Sequence, residues 1–336
     1  MIEQVMRRGI GAATDPERSG AGKRTGRRDF GAKRILRACA GLLLLASCAP
    51  AAGEAGPASG PAAAAPRLRP ELLVASGWLA ERLDDPGVVV LHVGSDRAAY
   101  DRGHVPGARF LPVGALVTER EGIPNELPPV AQLDSVFASV GVSDRARVVV
   151  YGPPLAAARA FFTLDYLGHG DRTALLDGGM ERWRSEGRPV SVEAPRVAPG
   201  TFTSRPQPER VVDAEWVRRH LDDPTVALLD ARPEAQFRGV EAGGVPRPGR
   251  IPGAGNLFWE ETLHSTENPV LKDPESLRAM FRAAGVEPGD TVVTYCRTGM
   301  QASFAYFVAR YLGYEAKMYD ASFVEWSRRT ELPVER

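Results

Sequence analysis

Between residues 70 and 336 the chain repeats itself once, and a period as long as a domain restricts the architecture more than any single residue does. Trp78 with Leu83-Asp84-Asp85-Pro86 returns as Trp216 with Leu221-Asp222-Asp223-Pro224. Gly103-His104-Val105-Pro106-Gly107-Ala108 returns as Gly249-Arg250-Ile251-Pro252-Gly253-Ala254. Phe137, Gly141-Val142 and Val148 to Tyr151 return as Phe281, Gly285-Val286 and Val292 to Tyr295, and Asp177 to Trp183 is answered by Asp320 to Trp326. A period of this length is a domain duplication and not a solenoid. Short apolar runs alternate with helical stretches: Val88 to Val93, Val148 to Tyr151 and Ala174 to Leu176, then Ala227 to Asp230, Thr291 to Tyr295 and Lys317 to Tyr319. That order predicts an α/β class, each repeat a mostly parallel sheet flanked by helices, with function at the carboxyl ends of the strands. The expected domains are 70–192 and 211–336, joined by a Pro- and Val-rich linker over 193–210.

The beginning of the chain reads differently. Basic residues crowd positions 7 to 37 and precede a short apolar run, Ala38 to Ala46, too short to span a bilayer but suited to the core of an export signal. The run ends in Leu45-Ala46-Ser47-Cys48, which resembles the lipobox of bacterial lipoproteins, and Arg27-Arg28-Asp29-Phe30 resembles a twin-arginine motif, although Gly31-Ala32 departs from it. Residues 1–48 are therefore expected to be an export signal with Cys48 lipidated. Residues 49–69, mostly Ala, Gly, Pro and Ser, are expected to be a flexible tether. The expected location is the cell envelope or periplasm, with membrane attachment through the lipid alone. In the 336 residues, 42 Lys and Arg balance 42 Asp and Glu, with no basic stripe, so nothing points to nucleic acid. A monomer is expected.

Of the three cysteines, Cys39 and Cys48 fall in the signal, which leaves Cys296 without a partner. It follows the β-branched run Val292-Val293-Thr294 and precedes a helical pattern over Ala302 to Leu312, so it is placed on a strand-to-helix loop. Backbone amides and a helix N-terminus there favour negative charge and are expected to lower the thiol pKa. The alternative for a lone cysteine is an inert buried thiol. The corresponding position in the first repeat is Gly152, in Gly152-Pro153-Pro154, so the first repeat lacks the chemistry and is expected to wall a cleft. No metal or other cofactor is expected, since the cysteine ligands of a structural zinc site are missing. A phosphatase loop requires an arginine where Ala302 stands, and no histidine sits in a protease signature. Trp78, Trp183, Trp216 and Trp326 recur in pairs and read as core; Trp259 with Phe258 reads as core or as cleft wall.

Four segments together resemble the tandem-domain sulfurtransferases of the rhodanese family over residues 70 to 336: Asp230-Ala231-Arg232 with Phe237-Arg238-Gly239; Gly249 to Ala254; Tyr295 to Gly299; and Tyr319 to Trp326. The resemblance implies two rhodanese-like domains, the second active. It makes Cys296 the nucleophile and Arg297, Thr298, Gly299, Met300, Gln301 and Ala302 an anion cradle, with Asp230, Arg232, Gln236 and Arg250 in support. It implies a small-molecule sulfur donor, a Cys296 persulfide and a thiophilic acceptor such as cyanide or a thiol. A Cys-Arg-x-Gly loop is similar to that of thiosulfate sulfurtransferases, whereas mercaptopyruvate-specific members carry a Cys-Gly type. Thr298 stands where some members have lysine, Gln236 where some have arginine, and Arg250 where histidine is common. The alternatives are a mercaptopyruvate sulfurtransferase or a non-catalytic module that binds sulfur species or a partner.

Overall fold

The computed structural model describes residues 66–336; the signal, Cys48 and most of the tether lie outside the described residues. The first repeat runs β1 (Leu73–Val74), α1 (Ser76–Ala80), β2 (Val88–Gly94), α2 (Arg97–Arg102), β3 (Arg109–Pro112), the hairpin strands β4 (Thr118–Arg120) and β5 (Ile123–Glu126), α3 (Val130–Ser139), β6 (Arg147–Tyr151), α4 (Pro154–Tyr166), β7 (Thr173–Leu176) and α5 (Gly179–Ser185). The second runs β8 (Val211–Val212), α6 (Ala214–Arg219), β9 (Val226–Asp230), α7 (Glu234–Phe237), β10 (Gly255–Asn256), α8 (Pro274–Ala283), β11 (Thr291–Tyr295), α9 (Met300–Leu312), β12 (Glu315–Tyr319) and α10 (Ser322–Arg328). Each repeat is a five-stranded sheet, β1-β7-β6-β2-β3 and β8-β12-β11-β9-β10 in space, with every pair parallel. The antiparallel hairpin β4-β5 of the first repeat is answered in the second by a smaller antiparallel turn at 262–272, bridged at Leu263 and Leu271.

Both sheets are covered on both faces, which is why their central strands read as unbroken apolar runs. Successive residues serve different cores: Val148 and Val150 face the inner core, Val149 and Tyr151 the outer core beneath α5, and Val292 and Val293 divide in the same way. The inner core belongs to both repeats. Helix α4 packs on β2, β6 and β7, helix α9 on β11 and β12, and the two helices pack on each other. Each is buried around nearly its whole circumference, so each is mostly apolar on every side, and its charged residues are paired across the boundary. Phe161 meets Phe307, and Phe162 meets Tyr306, edge to face with ring centroids 5.0 Å apart. Each such pair adds about 0.5–1.5 kcal/mol beyond the area it buries.

Polar contacts cross the same boundary. Asp165 of α4 accepts from the Tyr306 hydroxyl at 2.6 Å and from Arg310 Nε at 2.9 Å. Asp177 accepts from the Leu271 amide at 3.0 Å, and Asp320 accepts from the Leu127 amide at 2.7 Å. The connector does not hang free: the Gly200 amide donates to the Ala138 carbonyl, and those of Arg205 and Gln207 to the Leu167 and Tyr166 carbonyls. It therefore lies along the first repeat before β8 begins.

Replacing Asp165 with alanine leaves the buried Arg310 guanidinium and the Tyr306 hydroxyl without that acceptor. The expected loss is about 3–5 kcal/mol, with Asp165→Asn in between. Urea unfolding checks it, and a shift below about 1 kcal/mol, the worth of an exposed pair, would mean that the carboxylate does not hold the repeats together.

Candidate active site

Strand β11 runs beside β9 with Tyr295 opposite Asp230, and the chain leaves the sheet at Cys296 before entering α9 at Met300. The tight return is made by Gly299, whose φ of 87° lies in the left-handed region. A Cβ at Gly299 would stand 2.8 Å from both the carbonyl and Oδ1 of Asp320, so glycine is required for space as well as for dihedral angle. The loop is fastened from below. The Cys296 amide donates to Ser322 Oγ at 3.2 Å, the Phe323 amide to the Cys296 carbonyl at 3.0 Å, and the Val324 amide to the Arg297 carbonyl at 2.9 Å.

Within this frame Cys296 is 1% exposed, and the Gly299 amide donates to Sγ at 3.1 Å. Burial pushes the thiol above its ordinary range, while the amides of Ala302, Thr298 and Gln301 pull it back; Asp230 adds a further upward push. The lowered thiol expected from the sequence is therefore corrected in direction. Desolvation of the thiolate outweighs the loop amides that favour it.

The structure brings the loop residues together and distributes the supporting ones. Arg297 is exposed at the rim, its Nη1 donating to the Gly243 carbonyl at 3.4 Å. Thr298 is buried and its Oγ1 accepts from Asn125 Nδ2 at 3.0 Å. Met300 and Gln301 are half-buried and Ala302 is buried. Asp230 and Arg232 form a fully buried pair at 2.6 Å, and Arg232 also donates to the Gly249 carbonyl at 2.8 Å and lies over the Phe323 ring at 4.2 Å. They brace the strand end. Gln236 lies against Gly243, in the segment that Arg297 reaches. Arg250 is elsewhere: it pairs with Glu335 and covers the Phe237 ring at 4.7 Å, much as His104 stacks on Tyr100 at 3.8 Å in the first repeat. It fills an architectural position and has no contact with the loop. Trp259 is buried against Phe304, as core.

Four contributors escape a reading of the sequence. Asp320 and Ser322 stand in a segment whose repetition marks it as architecture, yet Asp320 Oδ1 accepts from Arg159 Nη1 of the first repeat at 2.7 Å, directly beneath Gly299. Arg159 is fully buried in α4, and a charged residue in a mostly apolar helix was the available signal. Asn125 comes from β5, and nothing in the sequence marks it. At the corresponding first-repeat loop, Gly152 has φ 138° and its absent Cβ would strike the Val93 carbonyl oxygen.

A model of the rhodanese-like domain matches residues 75–186 and again 213–329. The chain is 32% identical to the sulfur carrier protein TtuD of Thermus thermophilus, over 79% of this chain and 96% of that one. It is 30% identical to a thiosulfate sulfurtransferase of Azotobacter vinelandii, over 79% and 97% of the two chains. The identity is again 30% with a 3-mercaptopyruvate sulfurtransferase of Escherichia coli, over 78% and 97%. The chain belongs to the rhodanese family, with two rhodanese-like domains in tandem.

The raised thiol has a direct consequence for pH dependence. Below the ordinary thiol range Cys296 remains protonated, and the thiolate appears only as the pH rises past the value of the same cysteine in the unfolded chain. Alkylation by iodoacetamide is expected to inflect above about 8.5, the value of a free thiol. Rates measured on the folded and urea-unfolded protein decide it, and a folded inflection on the acid side would mean that the amides prevail.

Proposed function

We propose that this rhodanese-family chain is a sulfurtransferase that takes the outer sulfur of thiosulfate onto Cys296 and delivers it to cyanide or a thiol. The observation that carries the reading is a buried thiol on the strand-to-helix loop that accepts from the Gly299 amide, with the exposed Arg297 next to it in the chain. The names of its relatives share sulfur handling but differ in donor. Arg297 favours the dianion, since a guanidinium gives both charge and directed hydrogen bonds. At 1% exposure Cys296 also suits a donor whose reacting end is one terminal atom.

The Cys296 thiolate attacks the outer sulfur, a Cys296 S–S bond forms, the sulfur–sulfur bond of thiosulfate breaks, and its electron pair leaves with sulfite. The persulfide is anionic, as the thiolate was, so the same amides hold both states. Cyanide then attacks the terminal sulfur, giving thiocyanate and restoring the thiolate. The incoming anion brings no proton, and the protonated resting thiol gives up its own to solvent.

Intact mass after thiosulfate tests this reading. The protein is expected to gain one sulfur atom and lose it to cyanide, and Cys296→Ser to gain none while remaining folded. Transfer by a folded Cys296→Ser protein would end the assignment. Arg297→Gly should lower thiosulfate efficiency roughly tenfold or more while affecting mercaptopyruvate less, since a charge-assisted bond is worth about 1.5–3 kcal/mol. A wild type that prefers mercaptopyruvate would assign that donor instead.

For the region before residue 66 we propose export and lipid attachment at Cys48, with the tether holding the catalytic body off the membrane. Stable attachment needs more than one acyl chain. Cell fractionation is expected to find the wild type with membranes and Cys48→Ala released; the same soluble distribution for both would refute anchoring.

A further inference from the structure

We infer that Asn125, carried by the hairpin of the first repeat, is a positioning residue that turns the Thr298 hydroxyl into a hydrogen-bond donor for the sulfur donor's anionic group. The inference rests on the sulfur-transfer reading above and assigns part of that site to the other repeat.

A threonine hydroxyl has one proton to donate and two lone pairs to accept with. Asn125 Nδ2 occupies one lone pair at 3.0 Å, so the proton points away from Asn125. Among the described residues the Thr298 hydroxyl donates to no protein acceptor, although Thr298 is only 8% exposed. Thr298 lies two residues after Cys296 in the same loop, so a hydroxyl whose lone pair is engaged and whose proton no protein acceptor takes stands beside the thiol. That proton is available to a bound anion.

Asn125 is held for this task. Its φ of 67° is in the left-handed region, where asparagine is among the few side chains that settle readily. Two residues on, the Leu127 amide donates to Asp320 at 2.7 Å, and Gly122 at the other end of the turn accepts from Arg328 at 3.0 Å. The hairpin is thereby fixed to the second repeat on both sides of Asn125. The pseudo-symmetry gives an internal control. Leu127 and Leu271 occupy reciprocal places, each donating its amide to an aspartate of the other repeat. At the same spacing, Asn125 is answered by Pro269, which lines the cavity beside Gly152 and has no side-chain donor. Only the loop that carries the thiol is given an amide side chain.

The experiment uses thiosulfate and cyanide with Thr298→Val, Asn125→Gly, Asn125→Asp and the double variant Asn125→Gly with Thr298→Val. Glycine preserves the left-handed turn while removing the amide. Aspartate preserves the turn but only accepts, so the Thr298 proton turns toward it and away from the donor. Thr298→Val and Asn125→Asp are each expected to lower kcat/KM for thiosulfate about tenfold, and Asn125→Gly by less, about threefold. The double variant should match Thr298→Val alone, because both changes remove one interaction. In single turnovers the loss should fall on persulfide formation, with discharge of a preformed persulfide by cyanide unchanged. A general structural defect slows both steps. Asn125 variants as active as wild type, multiplying losses in the double variant, or equal slowing of both steps would overturn the inference. A wild type that takes up no sulfur overturns the functional reading, and this inference falls with it.

Discussion

The ion pair between Arg159 and Asp320 is the contact on which the site depends. One oxygen of the carboxylate takes the guanidinium of the first repeat at 2.7 Å, and the other takes the Leu127 amide at 2.7 Å. Its main chain and Oδ1 together form the surface against which Gly299 turns. The sulfur is thus held at one remove by a residue from the half of the molecule that has no thiol. A buried pair of this kind gives uncertain net stability, because desolvation opposes attraction. Its value is positional. A guanidinium and a carboxylate that have lost their water tolerate few alternative arrangements, so the loop above them is held in one.

The duplication explains why such a contact exists at all. Asp177 and Asp320 are equivalent, and each reaches an amide of the opposite repeat, at Leu271 and Leu127. The reciprocal pair has the form of a two-fold interface within one chain. The two sides differ in their arginines: Asp320 pairs with Arg159 of the other repeat, and Asp177 with Arg182 of its own, each at 2.7 Å.

Much of the fold was legible from the sequence, because periodicity and repetition report burial directly. Thr291–Tyr295 forms a strand as its β-branched run suggests, and the conserved spacing between the repeats corresponds to two sheets with one strand order. The helix after Cys296 begins at Met300, earlier than Ala302, since Gly299 starts the turn sooner than apolar spacing reveals. Contacts between the halves were not legible. Asn125 and Thr298 are 173 residues apart, and neither belongs to a periodic pattern. The sign of the thiol shift also escaped, because loop amides can be inferred from a strand-loop-helix pattern whereas the degree of burial cannot. The partners of Arg250 were not legible either: they are Glu335, 85 residues away, and the Phe237 ring.

The backbone at Gly152 makes the inequality of the two halves one-way. With φ at 138° and the Val93 carbonyl against its missing side chain, that position admits no cysteine while the present strand end remains. Pro153 and Pro154 then start α4 after a shorter loop than the one between Cys296 and α9. Restoring a second nucleophile would take a longer loop and a new strand exit as well as a changed codon. The first repeat is thereby left as a scaffold, and its hairpin and buried arginine serve the other half.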